Sequence, residues 1–133
     1  MGDTALPITV RFGDREFEVE GAPAALRQLA ALVHSPAELV AQLTPARSDP
    51  SPYKGFVRSI RIRPDERKVR VQRLDDQLLL SGTMSAREIL AANLNNFADG
   101  PSQPGDHLHV EFFPGHYYLE EGSLPFVVSR HES

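Results

Sequence analysis

The sequence predicts an α+β fold in one domain spanning residues 1–133: a mainly antiparallel β-sheet with two to three helices packed on one face. Three observations lead there. Short runs of alternating apolar and polar residues recur between tight turn signals. Only two or three stretches carry helical spacing. A chain of 133 residues, 41% hydrophobic, suits a single core. The strands are too often hairpin-connected, and the helices too few, for a doubly wound parallel sheet. The predicted order is β-β-α(α)-β-β-β-α-β-β-β.

Ile8, Val10 and Phe12 alternate with Thr9 and Arg11; after Gly13-Asp14, Phe17 and Val19 alternate with Glu16, Glu18 and Glu20. This pattern predicts a hairpin. With a two-residue loop, Phe12 faces Arg15, Val10 faces Phe17 and Ile8 faces Val19, leaving an acidic opposite face. Pro23 opens a stretch in which Leu26, Leu29, Ala30 and Val33 fall at helical spacing, and Ser35-Pro36-Ala37-Glu38 carries a capping-box pattern. Two helices are expected, over 23–33 and 36–43, with His34 at their junction. Residues 44–55, with Pro45, Pro50, Pro52 and Gly55, form a long loop whose contact residues are Tyr53 and Lys54.

Phe56, Ile60 and Ile62 then alternate with Val57, Ser59, Arg61 and Arg63, and Pro64-Asp65-Glu66 turns the chain. Val69 and Val71 alternate with Lys68, Arg70 and Gln72, and Asp75-Asp76 turns it again into Gln77-Leu78-Leu79-Leu80-Ser81. A three-stranded meander is expected, its leucine run central, with Arg61, Arg63, Lys68 and Arg70 on one solvated face. Ser85-Ala86-Arg87-Glu88 repeats the capping-box pattern before a helix lined by Ile89, Leu90, Leu94 and Phe97, which ends before Asp99-Gly100. In the strand of residues 105–115, His107, His109 and Glu111 point one way and Leu108, Val110 and Phe112 the other. Pro114-Gly115 breaks that strand. Tyr117, Tyr118 and Leu119 follow, then the turn Glu120-Glu121-Gly122-Ser123, a last strand over 124–128 and a frayed tail over 129–133.

Cysteine is absent, which excludes disulfides, thiolate metal sites and a cysteine nucleophile. The amino terminus, Met-Gly-Asp-Thr-Ala-Leu-Pro, has neither the basic nor the apolar region of a targeting signal, and no apolar run spans a bilayer. A cytoplasmic protein without membrane association is expected. Net charge is −4, yet residues 54–73 hold eight Lys or Arg against Asp65 and Glu66, so that segment carries about +6 and the remainder roughly −10. Such asymmetry suits a partner of complementary charge.

His-x-His on one strand face, with Glu111 or His116 to complete a set, is compatible with metal or small-molecule binding on His107, His109 and Glu111. The competing view is a wet sheet face. No Gly-x-Ser-x-Gly elbow, Gly-rich phosphate loop or His-Glu-x-x-His is present, so neither enzymatic activity nor a cofactor is expected. The basic segment lacks interleaved aromatics beyond Phe56 and the chain is acidic overall, which argues against nucleic acid. Protein binding accommodates more of these features, with His107, His109, Glu111, His116, Tyr117, Tyr118, Arg61, Arg63, Lys68 and Arg70 as contacts. An exposed strand edge also leaves room for a homodimer.

Gly105-Asp106-His107-Leu108-His109-Val110-Glu111, the following aromatics, Pro114-Gly115-His116, Tyr118-Leu119, Ser123 and an apolar closing strand resemble the bacterial polymorphic-toxin immunity proteins of the immunity protein 32 group. The resemblance covers roughly residues 104–129. It implies a small cytoplasmic α+β protein that binds and neutralises a cognate toxin domain without catalysis of its own. A nuclease toxin, with a basic groove, would suit the acidic faces of Glu16, Glu18 and Glu20 and of Glu120 and Glu121.

Overall fold

The first hairpin forms with its apolar side chains on one face, but in another register. Strands β1 (Thr9–Phe12) and β2 (Phe17–Gly21) pair with Val10 opposite Val19 and Phe12 opposite Phe17. The loop is therefore longer than expected, and the Gly13 amide closes it by donating to the Glu16 carbonyl at 2.9 Å. A slip of two residues keeps every side chain on its face, so alternation alone does not separate the two registers. The structure, a computed structural model, describes residues 5–45, 49, 51, 53–100 and 106–130.

Helix α1 (Pro23–Val33) starts at its proline and buries Ala25, Leu26, Leu29, Ala30 and Val33. The second helix expected over 36–43 is instead strand β3 (Leu39–Gln42). Ser35 caps nothing: its hydroxyl donates to the Ala37 carbonyl at 2.8 Å in a local turn. A helix of roughly eight residues is marginal, whereas β3 gains an antiparallel ladder against β5 (Ser59–Pro64), with Leu39 opposite Ile62. Of the long loop expected over 44–55, Gly55 belongs with Phe56 to β4 (Gly55–Phe56), which pairs with β1, while residues 46–48, 50 and 52 lie outside the described residues.

The expected meander is corrected by its middle strand. β6 (Arg70–Leu74) and β7 (Gln77–Gly82) do form a hairpin, turning at Asp75 with φ 56°. β5, however, pairs in parallel with β7 and not with β6, giving the order β3-β5-β7-β6. The reason is the apolar run. Leu78, Leu79 and Leu80 are apolar on both faces and all buried, which favours an interior position; the meander order would have left them on an edge.

Helix α2 (Met84–Asp99) is capped by Thr83, two residues earlier than the Ser85 pattern suggested: Thr83 Oγ1 accepts from the Ala86 amide at 3.1 Å. Its other end is closed from a distance. Arg130 donates to the carbonyls of Phe97, Ala98 and Gly100 at 3.1, 2.8 and 2.8 Å, placing a cation on the negative end of the helix. Strands β8 (His107–Val110) and β9 (Phe126–Arg130) pair antiparallel, and β9 lies parallel to β2, giving a five-stranded sheet ordered β4-β1-β2-β9-β8. Ser129 and Arg130, expected in a frayed tail, thus belong to a strand; residues 131–133 lie outside the described residues.

The single sheet expected is therefore two, both serving one core. Val19 and Phe126 from the first sheet, Ile60, Leu78 and Leu80 from the second, Leu29 and Val33 of α1 and Leu90 and Leu94 of α2 line a void of only about 20 Å³. The α+β class holds, with the helices against the inner sheet faces. Residues 118–124 strap the free edge of β6: the amides of Val69, Glu120 and Leu124 donate to the carbonyls of Tyr118, Val69 and Val71 at 2.8, 2.7 and 2.8 Å. The Val71 amide donates to Ser123 Oγ at 2.9 Å. The strap protects an edge that would otherwise be open to foreign strands.

Candidate functional site

Strand β8 places Val110 in the core and half-buries Leu108, while His107 and His109 are exposed, their ring centroids 6.2 Å apart. The strand ends at Val110, so Glu111 lies beyond it, exposed. In register across β9, His109 aligns with Val127 and then Glu18, and His107 with Ser129 and then Glu20. The imidazoles and the hairpin glutamates therefore share one outer sheet face, separated by two strand spacings of about 4.8 Å each. Among the described residues no group of three or more His, Cys, Asp or Glu is placed to hold a metal ion. The metal alternative on His107, His109 and Glu111 thus gains no ligand cluster.

The loop after β8 is the more ordered piece of chemistry. Phe113, Pro114, Gly115 and His116 make a turn in which the His116 amide donates to the Phe113 carbonyl at 2.9 Å. Gly115 takes φ +85°, and proline followed by a positive-φ glycine is the signature of a type II turn. His116 is then folded inward, 7% exposed. Its Nδ1 accepts from the amides of Tyr118 and Leu119 at 3.2 and 3.1 Å, so the proton of the neutral ring sits on Nε2. Its carbonyl accepts from Lys68 Nζ at 2.7 Å. Burial, and secondly the Lys68 ammonium, hold the imidazole below the usual histidine range.

Around that ring stand three aromatic side chains. Phe113 and Tyr118 lie 4.6 Å from it by centroid, and Tyr117 stacks on it at 5.6 Å, 6° from parallel. Tyr118 is buried, its hydroxyl accepting from Asn93 Nδ2 of α2 at 3.3 Å, and burial raises its pKa. Tyr117 and Phe113 are 65% and 56% exposed. The fold thus brings together His116, Tyr117, Tyr118 and Lys68 from the residues expected at the partner surface, and divides their roles. His116 and Tyr118 hold the turn from inside. Tyr117 and Lys68 meet solvent, as does Phe113, which the strand pattern did not single out.

The arginines stand elsewhere. Register puts Arg61 and Arg63 on the outer face of the second sheet, with Arg70 beyond Ser81 in the row of Arg63. Glu38 receives Arg61 at 2.7 Å and Arg63 at 3.7 Å. Arg61 also donates to Gln77 Oε1 at 3.1 Å. The acidic face is likewise moderated: Arg11 meets Glu18 at 2.9 Å and Glu20 at 3.2 Å. Tyr53 lies near these carboxylates; burial first, then Glu18 and Glu16, raise its pKa. Lys54 pairs with Asp14.

Arg87 escaped the sequence reading. It is 1% exposed, and its guanidinium donates to the carbonyls of Gly82, Val33 and Ser35 at 2.9, 3.0 and 2.6 Å, joining α2 to the ends of β7 and α1. Burial lowers its pKa. The only hint lay in its helical spacing with Leu90, Ala91 and Leu94, which puts it on the apolar side of α2.

The turn, the strap and the helix behind them all lie in the second half of the chain. Residues 77–131 match the family Immunity protein 32. The match to this immunity protein family begins with β7 and takes in α2, β8, the His116 turn, the strap and β9, so it reaches upstream of the expected 104–129. It leaves β1 to β6 and α1 outside. No curated protein and no solved structure gives a match.

Proposed function

We propose that this chain is an immunity protein that binds a cognate bacterial toxin domain and neutralises it by occupying its surface, without catalysis, in the cytoplasm of the cell it protects. One observation carries this reading: the immunity protein 32 match across residues 77–131, the part of the fold that contains the aromatic turn. The charge layout supports it. Arginines on the outer face of the second sheet and glutamates on that of the first give the molecule faces of opposite sign, which steer association and reject wrong partners. No helix among the described residues is long and apolar enough to cross a membrane. The contacts expected from the sequence then divide into surface groups, His107, His109, Glu111, Tyr117, Lys68, Arg61, Arg63 and Arg70, and the inward pair His116 and Tyr118.

Coexpression is the test. The chain is produced in bacteria together with each toxin domain encoded in a neighbouring reading frame, and growth is followed alongside pull-down of the pair. Growth restored by this chain, with a stoichiometric complex, is expected. Toxicity unchanged for every neighbouring toxin domain would overturn the proposal.

A further inference from the structure

We infer that the Phe113–Tyr117 turn is the anchor by which the chain engages its protein partner, and that the partner offers an apolar cleft containing a carboxylate. This rests on the neutraliser reading above and specifies its surface. Phe113 and Tyr117 are the two most exposed of the large hydrophobic residues among those described, and they sit on the same imidazole. Aromatic side chains with few rotatable bonds, held in place before binding, lose little entropy on docking and are typical energetic centres of interfaces.

The turn is held in advance. The His116 ring is fixed by two backbone amides, its carbonyl by Lys68, and the Tyr118 ring behind it by Asn93. The strap that follows is tied to β6 by backbone hydrogen bonds, so the anchor stands on a sheet and not on a loose loop.

The partner's chemistry follows from which donors remain. His116 Nε2–H has no partner among the described residues, because both of the bonds to the ring are made at Nδ1. Lys68 uses one of three ammonium donors on the His116 carbonyl and makes no ion pair among the described residues. A surface of two apolar rings with unused N–H donors beside them calls for an acceptor set among apolar groups. A carboxylate accepts from either donor and forms the stronger, charge-assisted bond with lysine. Gly115, at the apex, has no atom within 4 Å of where a Cβ would stand, so the approach is open.

The experiment measures binding of the full chain to the neighbouring toxin domain, inactivated by an active-site substitution, by calorimetry. Phe113→Ala and Tyr117→Ala are each expected to weaken the complex by about 10- to 100-fold, with unfolding temperatures unchanged because both side chains are mostly in solvent. Lys68→Met is expected to weaken it by about 10-fold and Lys68→Arg to recover most of that loss. Arg27→Gln, exposed on α1 and outside both charged sheet faces, is expected to leave affinity within about 2-fold. An alanine scan of the toxin's Asp and Glu residues is expected to find one whose loss is non-additive with Lys68→Met. Folded Phe113 and Tyr117 variants that bind like the wild type, or a loss no larger than that of Arg27→Gln, would overturn the anchor. The absence of any coupled carboxylate would overturn the assigned partner chemistry. A wild-type chain that binds no neighbouring toxin domain is a different result: it removes the neutraliser reading and this inference with it.

Discussion

His116 is a histidine whose ring serves the backbone. Its Nδ1 receives two amides, an arrangement that only the neutral ring supports, and Phe113, Tyr117, Tyr118 and Lys68 are the groups that face it. In the unfolded chain the imidazole titrates near 6.5, and in the folded chain lower. Between those two values the unfolded chain binds more protons. Stability from this residue is therefore complete above about pH 6.5, declines as the pH falls towards the folded value and declines no further below it. Urea midpoints measured from pH 8 to pH 4 should show that step in the wild type and lose it in His116→Asn, whose side-chain oxygen can still accept a backbone amide. His116→Ala should cost about 1–3 kcal/mol at pH 7, because it strands buried amides. Arg87 is the second such residue. Arg87→Met leaves three carbonyls without their donor and should cost about 2–3 kcal/mol in urea unfolding, whereas exchange of the exposed Arg58 should be nearly neutral.

At the scale of elements, the start of α2 separates two readings of one sequence. A capping-box pattern beginning at Ser85 competes with Thr83, and the fold uses Thr83. Thr83→Ala should lower stability by about 1 kcal/mol and Ser85→Ala by less than about 0.5 kcal/mol, measured as paired denaturation curves. What was legible and what was not divide along the same line. The first hairpin, α1, α2, the β6–β7 hairpin and β8 were readable because their signals are local: alternation, helical spacing, turn residues. The strand at 39–42 was not, because a short apolar run suits helix or strand equally and only β5, which follows it by 17 or more residues, decides. The insertion of β7 beside β5 was hidden for the same reason, since a parallel pairing has no turn of its own to announce it. At the candidate site, alternation put His107 and His109 on the face opposite Leu108 and Val110 but decided neither whether that face was wet nor which of Tyr117 and Tyr118 meets solvent. The inward rotation of His116 could not be anticipated, as it depends on amides that only the turn at Gly115 brings to its ring.

For the molecule as a whole, the two sheets have one interior and should melt together. Leu90, fully buried, lines the same small void as residues from both sheets, so Leu90→Ala should cost about 2–5 kcal/mol and lower the far-ultraviolet and tyrosine signals at the same denaturant concentration. Separate transitions for the two signals would show that the sheets fold independently. The faces of opposite charge make a further demand on the complex: its association rate should fall as salt rises from 0.05 to 0.5 M, the range over which the Debye length contracts from roughly 14 to 4 Å. The dissociation rate, which the proposed aromatic anchor would set, should change far less.

The two parallel pairings also set a timetable for synthesis. β2 waits for β9, its neighbour on one side, and β5 waits for β7. While a ribosome is still making the chain, the early strands have antiparallel partners only, and the first sheet cannot be completed until Phe126 and its successors have emerged. On the proposed reading, a binding-competent fold would then arrive in one step once β9 has emerged, never in part. A nascent chain carries an open strand edge until that moment, so chaperone dependence and sensitivity to removal of β9 should both be marked.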